Sequence, residues 1–401
     1  MSHKILRIAR LNHPLQNRLS QELGISPILA QILINRGITT VSDAEQFLHV
    51  QPEDMLDPYS FSSMRRAVER IKKAGQHKER VMIYGDYDVD GITAVALLKR
   101  MLLKRKIDVL HYLPHRVKEG YGLTKNIAWI AKEMGVRLII TVDCGISNHK
   151  EINELKNSGI DVIITDHHEP TGESLPEAFA VINPKAKEAR YKFRDLAGVG
   201  VAYKLAQALD NNTLLEELDL VALGTIADSV PLAGENRIIA KEGLRRISIT
   251  KRPGIRVLLQ NAGLEGKKVT STFVNFILGP RINASGRMDT AETSLKLLMS
   301  DSFEEASNLA KIVEQHNRQR QKIENSILEE AQAIIDKEIN FKEHKVIVLA
   351  KENWHQGVLG IVASKLADRF YRPAIVISMV DDLCKGSARS IKNFHLFDAL
   401  I

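Results

Sequence analysis

Residues 81–105 read VMIYGDYDVDGITAVALLKRMLLKR, and the fold follows from how this stretch is parsed. The short apolar run Val81–Tyr84 reads as a buried strand. It ends at Gly85 and passes through three alternating acids, Asp86, Asp88 and Asp90. It then enters AVALLKRMLLKR, which is about one crossover helix long. The strand half of this pattern recurs in IDVLHYL (107–113), RLIITV (137–142), DVIIT (161–165) and FAVIN (179–183), with the helical stretches KNIAWIAKEMG and KEINELKNSG between them. Strands that are apolar throughout and alternate with helices predict an α/β fold, a parallel sheet covered on both faces.

Upstream, residues 1–70 read as short helices with turn signals, such as SPILAQILINRG stopping at Gly37, and nothing in them looks chemical. Downstream, VAYKLAQAL and TLLEELDLVALGTIA are helical, and the expected α/β domain spans 71–235 with a basic helical part over 236–302. From Phe303 to Glu338 an amphipathic pattern runs without Gly or Pro, placing Ala306, Leu309, Ala310, Val313, Ile323, Ile327, Ala331 and Ile334 at helical spacing. Such a helix, over 303–340, is expected to bridge two domains. KVIVLA (345–350), GIVASKLADRF and AIVISM (374–379) then restart strand, helix, strand, so a smaller α/β domain is expected over 341–401. The chain reaches FHLFDALI with no closing signal, which reads as part of a longer protein or one lacking further domains.

With 401 residues, 44% hydrophobic and 26% charged, the chain has the material for a substantial core, which excludes a disordered protein. Two cysteines exclude a disulfide scaffold. No window approaches the roughly 18 uninterrupted apolar residues of a membrane span, and MSHKILRIARLNHPL has no apolar leader core, so a soluble cytoplasmic protein is expected. The formal charge is +7, which favours polyanionic partners. Between Arg237 and Asp289, eleven Lys or Arg face three acids, and this segment carries the expectation of anion binding.

Three of the expected strands end in metal-ligand chemistry, at the sheet edge where open parallel sheets bind ligands. The first leads to Asp86, Asp88 and Asp90, the third to Asp143, and the fourth to Asp166, His167 and His168; Asp228 ends the apolar helix LVALGTIAD. Carboxylates this dense repel one another unless cations neutralise them. An oxygen-rich set with one or two imidazoles suits Mn²⁺ or Mg²⁺ better than structural zinc, and two such ions can activate water and stabilise the leaving oxygen of a phosphodiester. Taken singly, the alternating acids could be a solvated turn and the His pair a surface or core feature. All four together, each following a strand or capping an adjacent helix, favour a metal centre, with one or two ions.

GDYDVDGITA, IITVDCGISN, the DHH of VIITDHHEP and ALGTIADSVPL resemble, in order, the four motifs of the DHH phosphoesterase superfamily. GPRINASGRM and GSARS resemble the approach to, and part of, the DHH-associated nucleic-acid-binding domain, in the form of the RecJ-type single-strand-specific 5′-to-3′ exonucleases. The resemblance covers roughly residues 75–391. It implies that Asp90, Asp143, His167 and Asp228 bind one metal, that Asp88 and the shared Asp143 belong to a second, and that His168 stands beside the scissile phosphate. Asp86 and Asp166 would support ligands without binding metal, and Cys144 would be a buried neighbour. Many superfamily members have His where this chain has Tyr84, which leaves the second metal with fewer protein ligands.

The resemblance also assigns Arg116 to a 5′ phosphate, which fork-like guanidinium geometry suits. Arg281, Asn283 and Arg287 are read as backbone-phosphate contacts on a Gly/Ala/Ser-rich loop, and Ser387 and Arg389 as phosphate-facing residues on a strand or turn. Where the superfamily's small phosphodiesterases carry a GGGH-like motif, this chain has Gly386 and Ser387, which favours a polymer over a dinucleotide. Phe273, Phe276 and Tyr121 are the candidates for base stacking, with core packing expected for each Phe. The implied function is hydrolysis of single-stranded DNA from the 5′ end to mononucleotides, by hydroxide attack on the phosphodiester, in DNA repair and recombination, with a single-stranded-DNA-binding protein and a recombination helicase as partners. The rival functions are a phosphodiesterase for oligonucleotides or cyclic dinucleotides and a non-catalytic strand-binding relative.

Overall fold

Residues 9–172, 174–380, 383–396 and 398–400 are described by the computed structural model. Residues 1–8, part of the stretch read above for a leader, lie outside them. Three helices come first: α1 (His13–Leu23), α2 (Pro27–Asn35) and α3 (Val41–Leu48). Asn12, Ser26 and Thr40 cap them by accepting from backbone N–H groups of the first turns. Leu19, Ala30, Leu33 and Ala44 form a small core of their own.

After α4 (Met64–Gln76) the chain builds a parallel sheet of β1 (Arg80–Gly85), β2 (Val109–Tyr112), β3 (Val136–Val142), β4 (Asp161–Thr165) and β5 (Ala180–Ile182), in the order β2-β1-β3-β4-β5. β2, β4 and β5 lie within the apolar runs that predicted them, β3 begins one residue earlier, and β1 extends one residue beyond its run at each end. Alternation sends Val81, Ile83, Leu138, Ile140 and Ile163 to one face and Met82, Tyr84, Ile139, Val162 and Ile164 to the other. The first face meets α4, α5 (Val89–Lys104) and α8 (Gly198–Asp210). The second is covered by α6 (Ile127–Glu133) and α7 (His149–Asn157). Because β1 lies between β2 and β3, the crossover direction reverses there. The strand ends diverge at that point and leave a crevice for a ligand.

A helical layer follows: α9 (Leu218–Ala227), α10 (Gly234–Ser248), α11 (Pro253–Asn261), α12 (Ser271–Phe273), α13 (Gly279–Met288) and α14 (Glu292–Met299). A π-helical turn, Val274–Leu278, makes α12 and α13 continuous, so GPRINASGRM is a helix and not the expected loop. Its small residues serve close packing: a Cβ at Gly286 would fall 2.7 Å from the Tyr87 carbonyl oxygen. Pro280 lies just past the π turn; its missing N–H removes one bond of the helical ladder at the point where the ladder changes register.

The 36-residue α15 (Phe303–Glu338) is roughly 54 Å long at 1.5 Å per residue. Ala306, Ala310 and Val313 belong to the main core, while Ile327, Ala331 and Ile335 belong to a second one. That second core is built with β6 (Ile347–Glu352), β7 (Ala374–Val380) and α16 (Leu359–Phe370), and β8 (Leu383–Arg389) completes the sheet. β6 and β7 are parallel and β8 is antiparallel to β7. No described helix is long and apolar enough to cross a membrane.

Candidate metal centre and phosphate-facing surfaces

The acids after β1 are placed by helix ends. Asp88 caps α5, its Oδ1 accepting from the N–H groups of Asp90 (3.0 Å) and Gly91 (3.2 Å). Asp90, buried in the first turn of α5, accepts from Gly198 N (2.6 Å) and Val199 N (2.8 Å) at the open N-terminus of α8. That helix can come so near because residue 198 is Gly: a Cβ there would lie 2.6 Å from Asp143 Oδ1. Asp143 leaves β3 in the left-handed region, φ 59°, which few non-glycine residues adopt. Asp166 is fully buried after β4 and accepts from His167 N (2.7 Å), His168 N (3.1 Å) and Ile146 N (2.9 Å), which ties the β3 and β4 ends together.

His167 Nε2 stands 3.1 Å from Asp143 Oδ1 and 3.8 Å from both Asp90 Oδ2 and Asp228 Oδ2. Three overlapping groups result, each with ligand atoms mutually within 4.8 Å: Asp90, His167, Asp228; Asp86, Asp88, Asp143; and Asp143, His167, His168. Asp86 Oδ1, Asp143 Oδ1 and both ring nitrogens of His167 are buried without a hydrogen-bond partner. Buried polar atoms are ordinarily paired, so this donor set, rich in carboxylate with one or two imidazoles, fits a hard divalent cation. Burial and mutual repulsion hold Asp86, Asp90 and Asp143 well above the ordinary carboxylate range. Burial and the charge of Asp88 push Asp228 up to about 6. Burial and the adjacent His168 lower His167 to about 4, keeping its ring neutral and able to donate a lone pair.

His168 is different. Burial would lower it, but the bond from Nδ1 to Asp166 Oδ1 (2.8 Å) and the charge of Asp166 outweigh that and raise it. No described residue hydrogen-bonds its Nε2. Tyr121 lies beside it, with its hydroxyl donating to Asp143 O (3.1 Å) and standing 3.0 Å from His168 Nδ1. The hydroxyl therefore lies at the centre, a placement the reading of Tyr121 as a stacking surface did not include. Asp86, read as a supporting acid, contributes an unpartnered oxygen to the group with Asp88 and Asp143, and the alternate spacing of the three acids was the available signal. Tyr84, where a histidine was absent, is buried; its hydroxyl donates to Gly122 O (2.8 Å) and accepts from Thr124 N (3.2 Å), bracing the turn that carries Tyr121. Cys144 is a buried neighbour.

The phosphate-facing candidates divide. Arg116 rests over the Tyr87 ring, 4.7 Å from its centroid, within electrostatic reach of Asp86 and Arg287. Arg287 donates to Gly357 O (2.9 Å) in the second lobe and feels the charge of Asp88. Arg281 instead pairs with Glu314 on α15 (2.9 Å) and donates to Ile277 O (2.9 Å), so its guanidinium is spent inside the protein. Asn283 Oδ1 accepts from Val89 N (3.1 Å) and steadies the loop of the first motif. The rest of the basic segment is largely consumed too: Arg237 stacks on Phe47, Lys241 reaches Val50 O, Arg245 and Arg246 pair with Glu242, and Arg252 pairs with Glu217 and Asp219. Ser387 and Arg389 lie on β8 over the start of α16, where Arg389 Nε donates to Ser364 Oγ (3.0 Å). Phe273 packs on the core as expected, but Phe276 is 73% exposed on the π turn.

An acid- and histidine-rich centre at the switch point of a parallel sheet, with a smaller α/β lobe carried on a long helix, defines a DHH-type phosphoesterase architecture. The DHH family N-terminal domain matches residues 80–225, and the DHHA1 domain matches residues 343–401. The chain is 45% identical over 384 residues to the single-stranded-DNA-specific exonuclease RecJ of Bacillus subtilis, covering 95% of this chain and 48% of that protein. It is 38% identical over 396 residues to RecJ of Salmonella typhimurium, covering 94% and 68%. Among solved structures it is similar to exonuclease RecJ bound to manganese (TM-score 0.75, 36% identity, 85% of each chain covered). It is also similar to Thermus thermophilus RecJ in complex with Mn²⁺ (TM-score 0.82, 32% identity, 98% of this chain and 56% of that one). The chain belongs to the RecJ family of single-stranded-DNA-specific exonucleases. It spans about half the length of the Bacillus subtilis relative and about two thirds of the Salmonella typhimurium one.

Proposed function

We propose that this chain is a metal-dependent exonuclease that degrades single-stranded DNA from the 5′ end to mononucleotides. The observation that carries the reading is the set of overlapping ligand groups sharing Asp143 and His167, with buried donor atoms left unpaired where strands β1, β3 and β4 converge. Asp90, Asp143, His167 and Asp228 would hold one ion and Asp86, Asp88 and Asp143 a second, as Mn²⁺ or Mg²⁺. Such ions supply positive charge that polarises the phosphodiester and activates water.

The remaining work falls to the chain. His168, aimed by its bond to Asp166, donates from Nε2 to an oxygen of the scissile phosphate as charge builds there. Tyr121 holds the ring of His168 and the backbone of Asp143 in register. Arg116 takes the terminal 5′ phosphate, whose extra charge and free oxygens an internal phosphodiester lacks. Arg287, Ser387 and Arg389 line the path of the strand between the lobes. In this reading the protein acts in the cytoplasm in DNA repair and recombination, and a single-stranded-DNA-binding protein and a recombination helicase present the strand to it.

The test is degradation of 5′- and 3′-labelled single strands, a duplex and a cyclic dinucleotide, with Mn²⁺, with Mg²⁺ and with chelator. Metal-dependent release of mononucleotides from the 5′ end of the single strand is expected. Faster turnover of the dinucleotide would replace this reading with the phosphodiesterase one, and release from the 3′ end would overturn the polarity.

A further inference from the structure

We propose that Lys385 is a positioning residue that makes recognition of the strand end by Arg116 conditional on closure of the second lobe. The inference rests on the reading of Arg116 as the 5′-phosphate residue. Lys385 lies on β8, where two-residue alternation puts it on the same face as Ser387 and Arg389. Its Nζ crosses to the first lobe and donates to the carbonyl oxygen of Val117, at 2.7 Å, next in sequence to Arg116.

The loop that carries Arg116 satisfies the N–H groups of His115 and of residues 117–120 internally. Glu119 accepts from His115 N (2.7 Å) and from the Tyr112 hydroxyl (2.7 Å), and His115 Nδ1 accepts from Val117 N (3.2 Å) and Lys118 N (3.4 Å). What the loop draws from outside at this point is the bond from Lys385. The Arg116 guanidinium lies over the Tyr87 ring with no described residue hydrogen-bonded to it, so its direction depends on how the loop backbone is set. The other junction between the lobes on this side is Arg287 with Gly357, where the backbones approach so closely that a Cβ at Gly357 would fall 2.3 Å from the Arg287 carbonyl oxygen. Arg116 is within electrostatic reach of Arg287, so the two interlobe contacts flank it. Parting the lobes removes both, and with them the frame that aims the guanidinium.

The experiment compares wild type, Lys385→Ala and Lys385→Arg. Initial rates are taken on 5′-phosphorylated and 5′-hydroxyl single strands, and hydrogen exchange is followed at the amides of residues 115–120. Lys385→Ala should lower the preference for the phosphorylated strand about threefold or more, leave the rate on the hydroxyl strand within about twofold, and speed exchange in the loop. Lys385→Arg should restore both readouts. Unchanged exchange in Lys385→Ala overturns the proposal, as does equal loss on both strands with a shallower salt dependence, which would make Lys385 a plain phosphate contact. If wild type shows no preference for a 5′ phosphate, the reading of Arg116 fails, and exchange at residues 115–120 still decides whether Lys385 frames the loop.

Discussion

Asp143 combines three unfavourable features: a left-handed backbone, full burial and a carboxylate set among other carboxylates. Strain of about 1–3 kcal/mol at such a residue persists only where the surroundings impose it. Asp143→Asn keeps a side chain that tolerates the left-handed region while removing the charge shared between the ligand groups. The expected result is at least a 100-fold loss of nuclease rate, a smaller rise in melting temperature on adding Mn²⁺, and a metal-free protein at least as stable as wild type. Near wild-type cleavage by this variant would remove Asp143 from the centre. The pH dependence follows from the same crowding. In the metal-free protein Asp228 stands at about 6 against an ordinary 3.8, and Asp86, Asp90 and Asp143 are raised as well; His167, lowered to about 4, acts in the opposite direction but is one group against four, so at the centre the folded state holds more protons than the unfolded chain over that interval. Metal-free stability should therefore fall as pH rises from about 4 through 6, and the stabilisation by Mn²⁺ should grow over the same range. Melting curves with and without Mn²⁺ at pH 5 and pH 7.5 check this, and a larger metal effect at pH 5 would contradict it.

At the scale of elements, the centre depends on helices crossing closely. α9 is mostly apolar and buried, and it passes α5 at Gly224, where a Cβ would fall 2.3 Å from Thr93 Oγ1, 2.8 Å from Val199 Cγ1 and 3.0 Å from Asp90 Oδ1. Gly224→Ala should cost about 1–3 kcal/mol, the range for overpacking a close-packed interior. Because the intruding methyl group presses on Asp90 as α9 brings Asp228 to the same ligand group, Mn²⁺ affinity should weaken too. Thermal unfolding and a metal titration measure the two effects, and wild-type values in both would show that the crossing relaxes freely. In α13, Gly, Ala and Ser suggested a loop, yet here they let a helix lie against the backbone of Tyr87. Small residues serve both purposes, and one sequence does not distinguish them.

Across the whole molecule, the net charge of +7 says little about where an anion would meet the protein. The densest basic segment turns many of its cations inward, whereas Arg116 and Arg287, far apart in the sequence, come within electrostatic reach of each other where Arg287 meets Gly357 of the second lobe. This separates two arginines that the sequence treated alike. Arg287→Ala should weaken binding of all single strands about equally and flatten the dependence of affinity on salt, since phosphate contacts release counterions without reading bases. Arg281→Ala should leave the salt slope unchanged and lower stability, because it removes the half-buried pair to Glu314 on α15 and leaves that carboxylate only the exposed Arg318. Binding isotherms over a series of salt concentrations distinguish them, and equal slopes for the two variants would refute the division.

Periodicity in the sequence sufficed for the five strands of the main sheet, the order of helices between them and the full length of α15, because alternation and helical spacing are local properties that burial on one face or two imposes directly. The acids and histidines were legible as candidates for the same reason: residues that end parallel strands must share one edge. Other features lay beyond local pattern. That Arg281 is occupied by Glu314, that Tyr121 lies against His168 and that Lys385 reaches Val117 were decided only when residues from 33 to 268 positions apart were packed together. Hydrogen-bond partners and charge neighbours depend on ångström-scale distances across separate elements. No sequence spacing encodes those distances until the sheet, the helical layer and the second lobe have set them.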